Sequence, residues 1–213
     1  MFIHRVNQQG FSLLELLVAL TLGSAIIGSL SRLFVQLERS VQQQQQAQQL
    51  HQQTAAIVES IALELRRAGY HRHQGLIATF AGETLSVVTS QHGSALGIIY
   101  QLPPSQDTAE YLHMVYRYQA SEQQLLLCES LSISPATMAK VMRSTRSEPC
   151  YQVVDPLQYR VTAWFADNTT FVLESGALVQ EVSVSVTLQS QMSDIPTDTQ
   201  QITRMVLNGG YLR

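Results

Sequence analysis

The sequence predicts an α+β fold, one long N-terminal helix followed by a mostly antiparallel β-sheet. Three observations carry this. No proline interrupts the chain between Phe11 and Pro103, and no cluster of helix-stopping residues occurs before "RAGY" at 67–70, so a single helix can run from about 11 to 68. After Gly69 the pattern changes to short segments in which apolar and polar residues alternate, the period of half-buried strands. The separators "AGE", "ASE", "ADN" and "ESGA" between those segments read as hairpin turns. A helix followed by consecutive hairpins segregates the two kinds of structure, with the sheet covering one stripe of the helix.

The helix begins with an apolar run from Phe11 to Leu30, 20 residues long. At 1.5 Å per residue it spans about 30 Å, the thickness of a bilayer core. The polar stretch "MFIHRVNQQG" precedes it, while Arg32 and Arg39 follow it, so loop charge alone does not fix an orientation. A lipoprotein signal is excluded, because the first cysteine is Cys128. A cleaved secretory signal ending at "LGSA" (22–25) competes with a retained anchor, but Glu15 inside the apolar core opposes it. A carboxylate in such a segment is read first as functional. It also has a local reading, since "SLLE" fits the S-x-x-E capping box and an acid in the first turn complements the helix dipole. The two readings are compatible.

The stretch "GFSLLE" (10–15), opening a long apolar helix, resembles the type IV prepilins. The resemblance implies the type IV pilin fold, and cleavage by a prepilin peptidase between Gly10 and Phe11 with N-methylation of Phe11. It also implies that Glu15 pairs with the amino terminus of a neighbouring subunit. It divides the chain into a leader at 1–10 that is removed, a transmembrane and polymerisation helix at 11–34, a periplasmic continuation of the spine at 35–69 and a periplasmic β-rich domain at 70–213. The protein is then expected to cross the inner membrane once and later to join a fibre or its tip. "LELRRAGYHRHQG" (63–75), "EVSVSVTLQSQ" and the final "QITRMVLNGG" are similar to the PilW-like minor pilins, which are prepilin peptidase-dependent proteins. That similarity implies other minor pilins, the major pilin and the inner-membrane assembly platform as partners, and priming of the fibre as the role. A J-type pseudopilin of a type II secretion system shares the same leader and spine. A membrane-anchored periplasmic adhesin or binding domain is the reading from another class.

Along the rest of the spine, "VQQQQQAQQLHQQ" (41–53) is either solvated helix or a hinge, glutamine being a fair helix former. Leu50, Thr54, Ile57, Val58, Ile61, Leu65 and Ala68 recur at helical spacing, a stripe expected to pack on the globular domain while the glutamine tract does not. Gly69 is the expected stop, with Arg66 and Arg67 in the last turn where cations suit the dipole. A helix over 11–68 would be about 87 Å long. Strands are expected at "LIATFA", "TLSVVTS", "LGIIYQL", "YLHMVYRYQ", "QLLLCES", "LQYRVTAWFA", "TTFVLES" and "LVQEVSVSVTL". "SPATMAKVMRS" (134–144) reads as a short helix with Ser134 as cap and Pro135 in its first turn.

Cys128 and Cys150 are the only cysteines. In an oxidising compartment they are a natural disulfide, closing a loop whose constraint is worth roughly 3 kcal/mol; two buried free thiols are the alternative. "HRH" (71–73) lacks a third ligand and reads as a solvated loop, and "NTT" (168–170) reads as a turn before it reads as a glycosylation acceptor. Calcium at Asp194 and Asp198 competes weakly with a polar loop. Neither a nucleophile elbow nor a phosphate-binding glycine loop is present, so no enzyme, cofactor or metal is expected. A net charge of -3 gives no basic field for nucleic acid.

Overall fold

The proline-free N-terminal stretch folds as one helix, α1, from Leu13 to Arg67. The computed structural model describes residues 12–73, 75–103, 110–143, 145–146, 148–174, 178–192 and 195–208. Gly10 and Phe11 lie outside these residues. The chain divides into two compact units, Met1–Gln45 and Gln46–Arg213.

In the first unit every described helical residue is exposed apart from half-buried Gly23, so its leucines, isoleucines and valines face outward all round. In the second unit the helix buries Leu50, Thr54, Ile57, Val58, Ile61, Ala62 and Leu65, the stripe expected from the helical period. Gly69 ends the helix at φ +77°, a left-handed conformation that glycine adopts without the usual steric penalty. Its N–H bonds to Ile99 O at 2.9 Å, and its own carbonyl accepts from Ala78 N at 3.1 Å.

Among the described residues eight strands follow: β1 Val87–Thr89, β2 Ala95–Gln101, β3 Tyr111–Gln119, β4 Gln124–Ser132, β5 Cys150–Gln152, β6 Tyr159–Val172, β7 Leu178–Ser190 and β8 Asp198–Asn208. A short helix, α2, spans Met138–Val141. All pairings are antiparallel. The strands build two sheets, β1-β2-β3-β4-β5 and β6-β7-β8, where the sequence suggested one.

Strand β2 is buried along its whole length, because the five-stranded sheet is covered on both faces. On one face Leu96, Ile98, Tyr100, Met114, Tyr116 and Leu125 join the α1 stripe and Val182, Val184, Val186 and Leu188 of β7 in the main core. On the other, Ala95, Ile99, Val115 and Cys128 meet Ala78, Phe80, Ala136 and Val141 in a second cluster. The alternation of a strand sends successive residues to these two clusters.

Several expected elements differ. "LIATFA" forms no strand, since Ala78 N bonds to Gly69 O and Ala81 N to Ala136 O, partners in two separate segments and not one ladder neighbour. "LQYRVTAWFA" and "TTFVLES" merge into β6, so "ADN" and "NTT" lie within a strand; β6 bends instead at a register shift between Val161 and Ala163. The helix read over 134–144 shrinks to α2. Its cap is Thr137, whose hydroxyl accepts from Lys140 N, because the Ala136 N–H is already held by His113 Nε2 at 2.8 Å.

Candidate functional site

The first turn of α1 holds the acid that the sequence singled out. Glu15 N–H and Leu16 N–H both donate to the Ser12 carbonyl, at 3.0 and 3.2 Å, so the backbone of Ser12 opens the helix. Glu15 is exposed, as are its neighbours Leu13, Leu14, Leu16 and Leu17. The apolar segment that follows is long enough to cross a membrane and is unburied. Its hydroxyls are satisfied internally: Thr21 bonds to Val18 O, Ser24 to Thr21 O, Ser29 to Ala25 O and Ser31 to Ile27 O, each at 2.9 Å. Bonding back one turn is what lets small polar residues sit in a medium without water. Glu15 stands apart, because a carboxylate only accepts when ionised and needs a cation or donor from elsewhere. An apolar surface thus carries one acid near its N-terminal end.

The second unit holds its portion of the spine by named polar contacts. His51 Nδ1 lies 3.2 Å from Asp198 Oδ1 at the start of β8, so His51 of the glutamine tract contacts the domain, against expectation, beside Leu50, which is buried as the stripe predicted. The Asp198 contact needs the hydrogen on Nδ1. The Gln200 amide, 3.1 Å from the same nitrogen, therefore donates to Asp198 Oδ2 at 3.4 Å instead. Burial alone would raise the Asp198 carboxyl, but hydrogen bonds from His51, Thr54 and Gln200 outweigh it and hold the pKa below its ordinary 3.8. Towards the helix end, Tyr100 donates to Glu64 Oε2 at 2.8 Å, and Arg67 lies 3.5 Å from Glu64 Oε1. Beneath the helix, burial pushes the Tyr116 phenol up to about 12.

Cys128 and Cys150 form a disulfide, at directly paired positions of β4 and β5. Strand β5 is only three residues long, too short to show a period in the sequence. The bridge closes the loop that carries α2. "HRH" is held more firmly than a solvated loop: His71 Nε2 lies 3.1 Å from Tyr111 Oη and His71 Nδ1 accepts from His73 N at 3.1 Å. Among the described residues no group of histidines, cysteines and acids has metal-binding geometry. Asp194 lies outside the described residues, and Asp198 is engaged by His51.

The family of prepilin peptidase-dependent protein B matches residues 43–208, from the glutamine tract through β8. The chain belongs to this family. The prokaryotic N-terminal methylation motif matches residues 5–31, the stretch containing Gly10, Phe11 and Glu15. This prepilin peptidase-dependent protein is thereby type IV pilin-like in its N-terminus, its spine and its α+β domain. Neither the curated proteins nor the solved structures contain a match. Two buried polar residues of the family domain, His113 and Gln180, were not foreseen. The signal was a polar side chain at an inward position of an apolar strand, in "YLHMVY" and "LVQEV".

Proposed function

We propose that this protein is a minor pilin of a type IV pilus that primes fibre assembly and occupies the fibre tip. The observation that carries the reading is Glu15 in the first turn of an exposed apolar helix, within a matched methylation motif and joined to a matched prepilin peptidase-dependent domain. Prepilin peptidase cuts after Gly10 and leaves Phe11 as an N-methylated amino terminus. The mature helix waits in the inner membrane with the β-rich domain in the periplasm. It then docks with the helices of other minor pilins and the major pilin, and the assembly platform draws it into the fibre. The role is assembly, not catalysis. Glu15 contributes by accepting the charged amino group of a neighbouring subunit, a pairing that needs a buried setting to be selective.

Intact-mass and N-terminal analysis, with and without prepilin peptidase, tests the first step. Loss of residues 1–10 and a methylated Phe11 are expected, and an uncut chain overturns the reading. Deletion of the gene followed by scoring of surface pili, twitching and protein secretion tests the second. Lost piliation is expected; normal piliation with lost secretion assigns the protein to a pseudopilin tip instead.

A further inference from the structure

The outer face of the five-stranded sheet contains a fully buried histidine, His113 of β3, with both ring nitrogens engaged. Nε2 lies 2.8 Å from Ala136 N. A backbone N–H can only donate, so Nε2 is bare and the ring hydrogen sits on Nδ1. Nδ1 in turn lies 3.2 Å from Ser130 O, which can only accept. One neutral tautomer satisfies both contacts. A doubly protonated ring sets an Nε2–H against the Ala136 N–H and forfeits that bond.

Ala136 is the junction of the segment that covers this face. Its carbonyl accepts from Ala81 N at 3.0 Å, its side chain lies in the second apolar cluster, and the next residue caps α2. The far end of the loop is held by Glu148, whose Oε1 accepts from Ser130 Oγ at 2.8 Å.

We propose that His113 is an acid-operated latch: the neutral ring pins the 133–142 segment to the sheet, and protonation releases it and uncovers the apolar cluster beneath. The Cys128–Cys150 bridge tethers the loop on both sides, so release is a local opening and not global unfolding.

Burial pushes the His113 pKa below its ordinary 6.5, against the backbone bonds to Ser130 and Tyr111, which raise it. Among charged groups, Lys140 of α2 lowers it and Glu148 raises it. From the 78–81 segment the ring meets Phe80, with centroids 5.6 Å apart. The closed state has the depressed pKa and the open state the ordinary one. The closed state is therefore fully favoured above about 6.5 and loses ground as pH falls through the closed-state value.

Hydrogen exchange on the full mature chain in detergent micelles, between about pH 4.5 and 7.5, tests the latch. After correction for the intrinsic pH dependence of exchange, protection at Ala136 is expected to stay level above about pH 6.5 and to fall below it, by at most about tenfold per pH unit, with the disulfide becoming more accessible to reductant in parallel. His113→Gln cannot titrate and is expected to give a flat profile, while Glu148→Gln keeps the wild-type slope. If His113→Gln fails to fold, ring-nitrogen NMR of the wild type decides, an Nδ1–H tautomer at neutral pH being expected. A flat wild-type profile, an Nε2–H tautomer, a slope that survives in His113→Gln or one that vanishes in Glu148→Gln overturns the proposal.

Discussion

Gln180 of β7 pairs with the backbone of Val87 in β1, joining the two sheets through one side-chain amide. Its Nε2 donates to Val87 O at 2.7 Å, and its Oε1 accepts from Val87 N at 3.2 Å. Strand β1 is the edge of its sheet, so the Val87 peptide would otherwise be buried without a ladder partner on that side. Asn168 of β6 also donates to Val87 O, at 2.8 Å. Gln180→Met keeps the volume but strips the acceptor from the Val87 N–H, while Asn168 still covers the carbonyl. The expected loss is about 2–3 kcal/mol, one unsatisfied buried donor plus the lost bonds. Chemical denaturation of wild type and variant measures it, and a loss below about 0.5 kcal/mol would show that the sheets are joined by apolar contact alone.

The same contacts explain what the sequence revealed of the fold. The spine stripe was legible because Leu50, Ile57, Ile61 and Leu65 keep the helical period and are all buried; β3 was legible because its strand pattern runs uninterrupted from Tyr111 to Gln119. In β6, Asp167 and Asn168 carry turn chemistry. Asn168 spends its amide on Val87 O, and pairing with β7 on both sides of it overrides the local preference. "LIATFA" has the composition of a strand, but its neighbours are loops and a helix end. For the candidate site, Glu15 stood out because a lone acid in an apolar run has few explanations. His113 and Gln180 act through partners 17 to 93 residues away, which no local pattern encodes.

Gly93 is expected to tolerate no side chain. It lies at φ +67°, and an added Cβ would sit 2.6 Å from Ala166 O and 3.2 Å from Ala166 N. Both are backbone atoms of a paired strand that cannot swing aside. Gly93→Ala should destabilise by more than about 2 kcal/mol, from left-handed strain and the clash together. Gly82 is the control: at φ +85° it faces open space, so Gly82→Ala carries only the conformational term, about 1 kcal/mol. Equal thermal shifts in the two variants would show that β6 yields at Ala166.

The His51–Asp198 contact sets an acid dependence with a defined sign. The folded-state pKa of Asp198 is lowered, so its contribution is fully present above the ordinary 3.8 and is lost as pH falls through the folded value. Asp198→Asn removes that contribution. Its urea midpoint should therefore fall below wild type at neutral pH and converge with it at about pH 2. Both residues belong to the second unit, so the readout reports on that unit's hold on its helix. A gap that persists unchanged in strong acid would assign the effect to packing and not to charge.

Glu15 provides the decisive variant for assembly. It lies within the first turn, exposed, at the opening of a segment in which the Thr21, Ser24, Ser29 and Ser31 hydroxyls each donate to a carbonyl three or four residues earlier. If a neighbouring amino terminus pairs with it in a buried fibre core, Glu15→Ala leaves that amine uncompensated, a cost of about 3–5 kcal/mol and so a loss of more than a hundredfold in incorporation. Glu15→Gln keeps the shape and the acceptor oxygen but not the charge, and should fail nearly as badly. The proposed cleavage after Gly10 would precede any such contact and is expected in both variants, which separates assembly from processing. Co-purification with pilin subunits and counts of surface fibres, scored beside the mass of the mature chain, give the comparison. Full processing with unchanged incorporation would leave the acid as a helix-capping residue only, complementing the dipole at a few tenths of a kcal/mol.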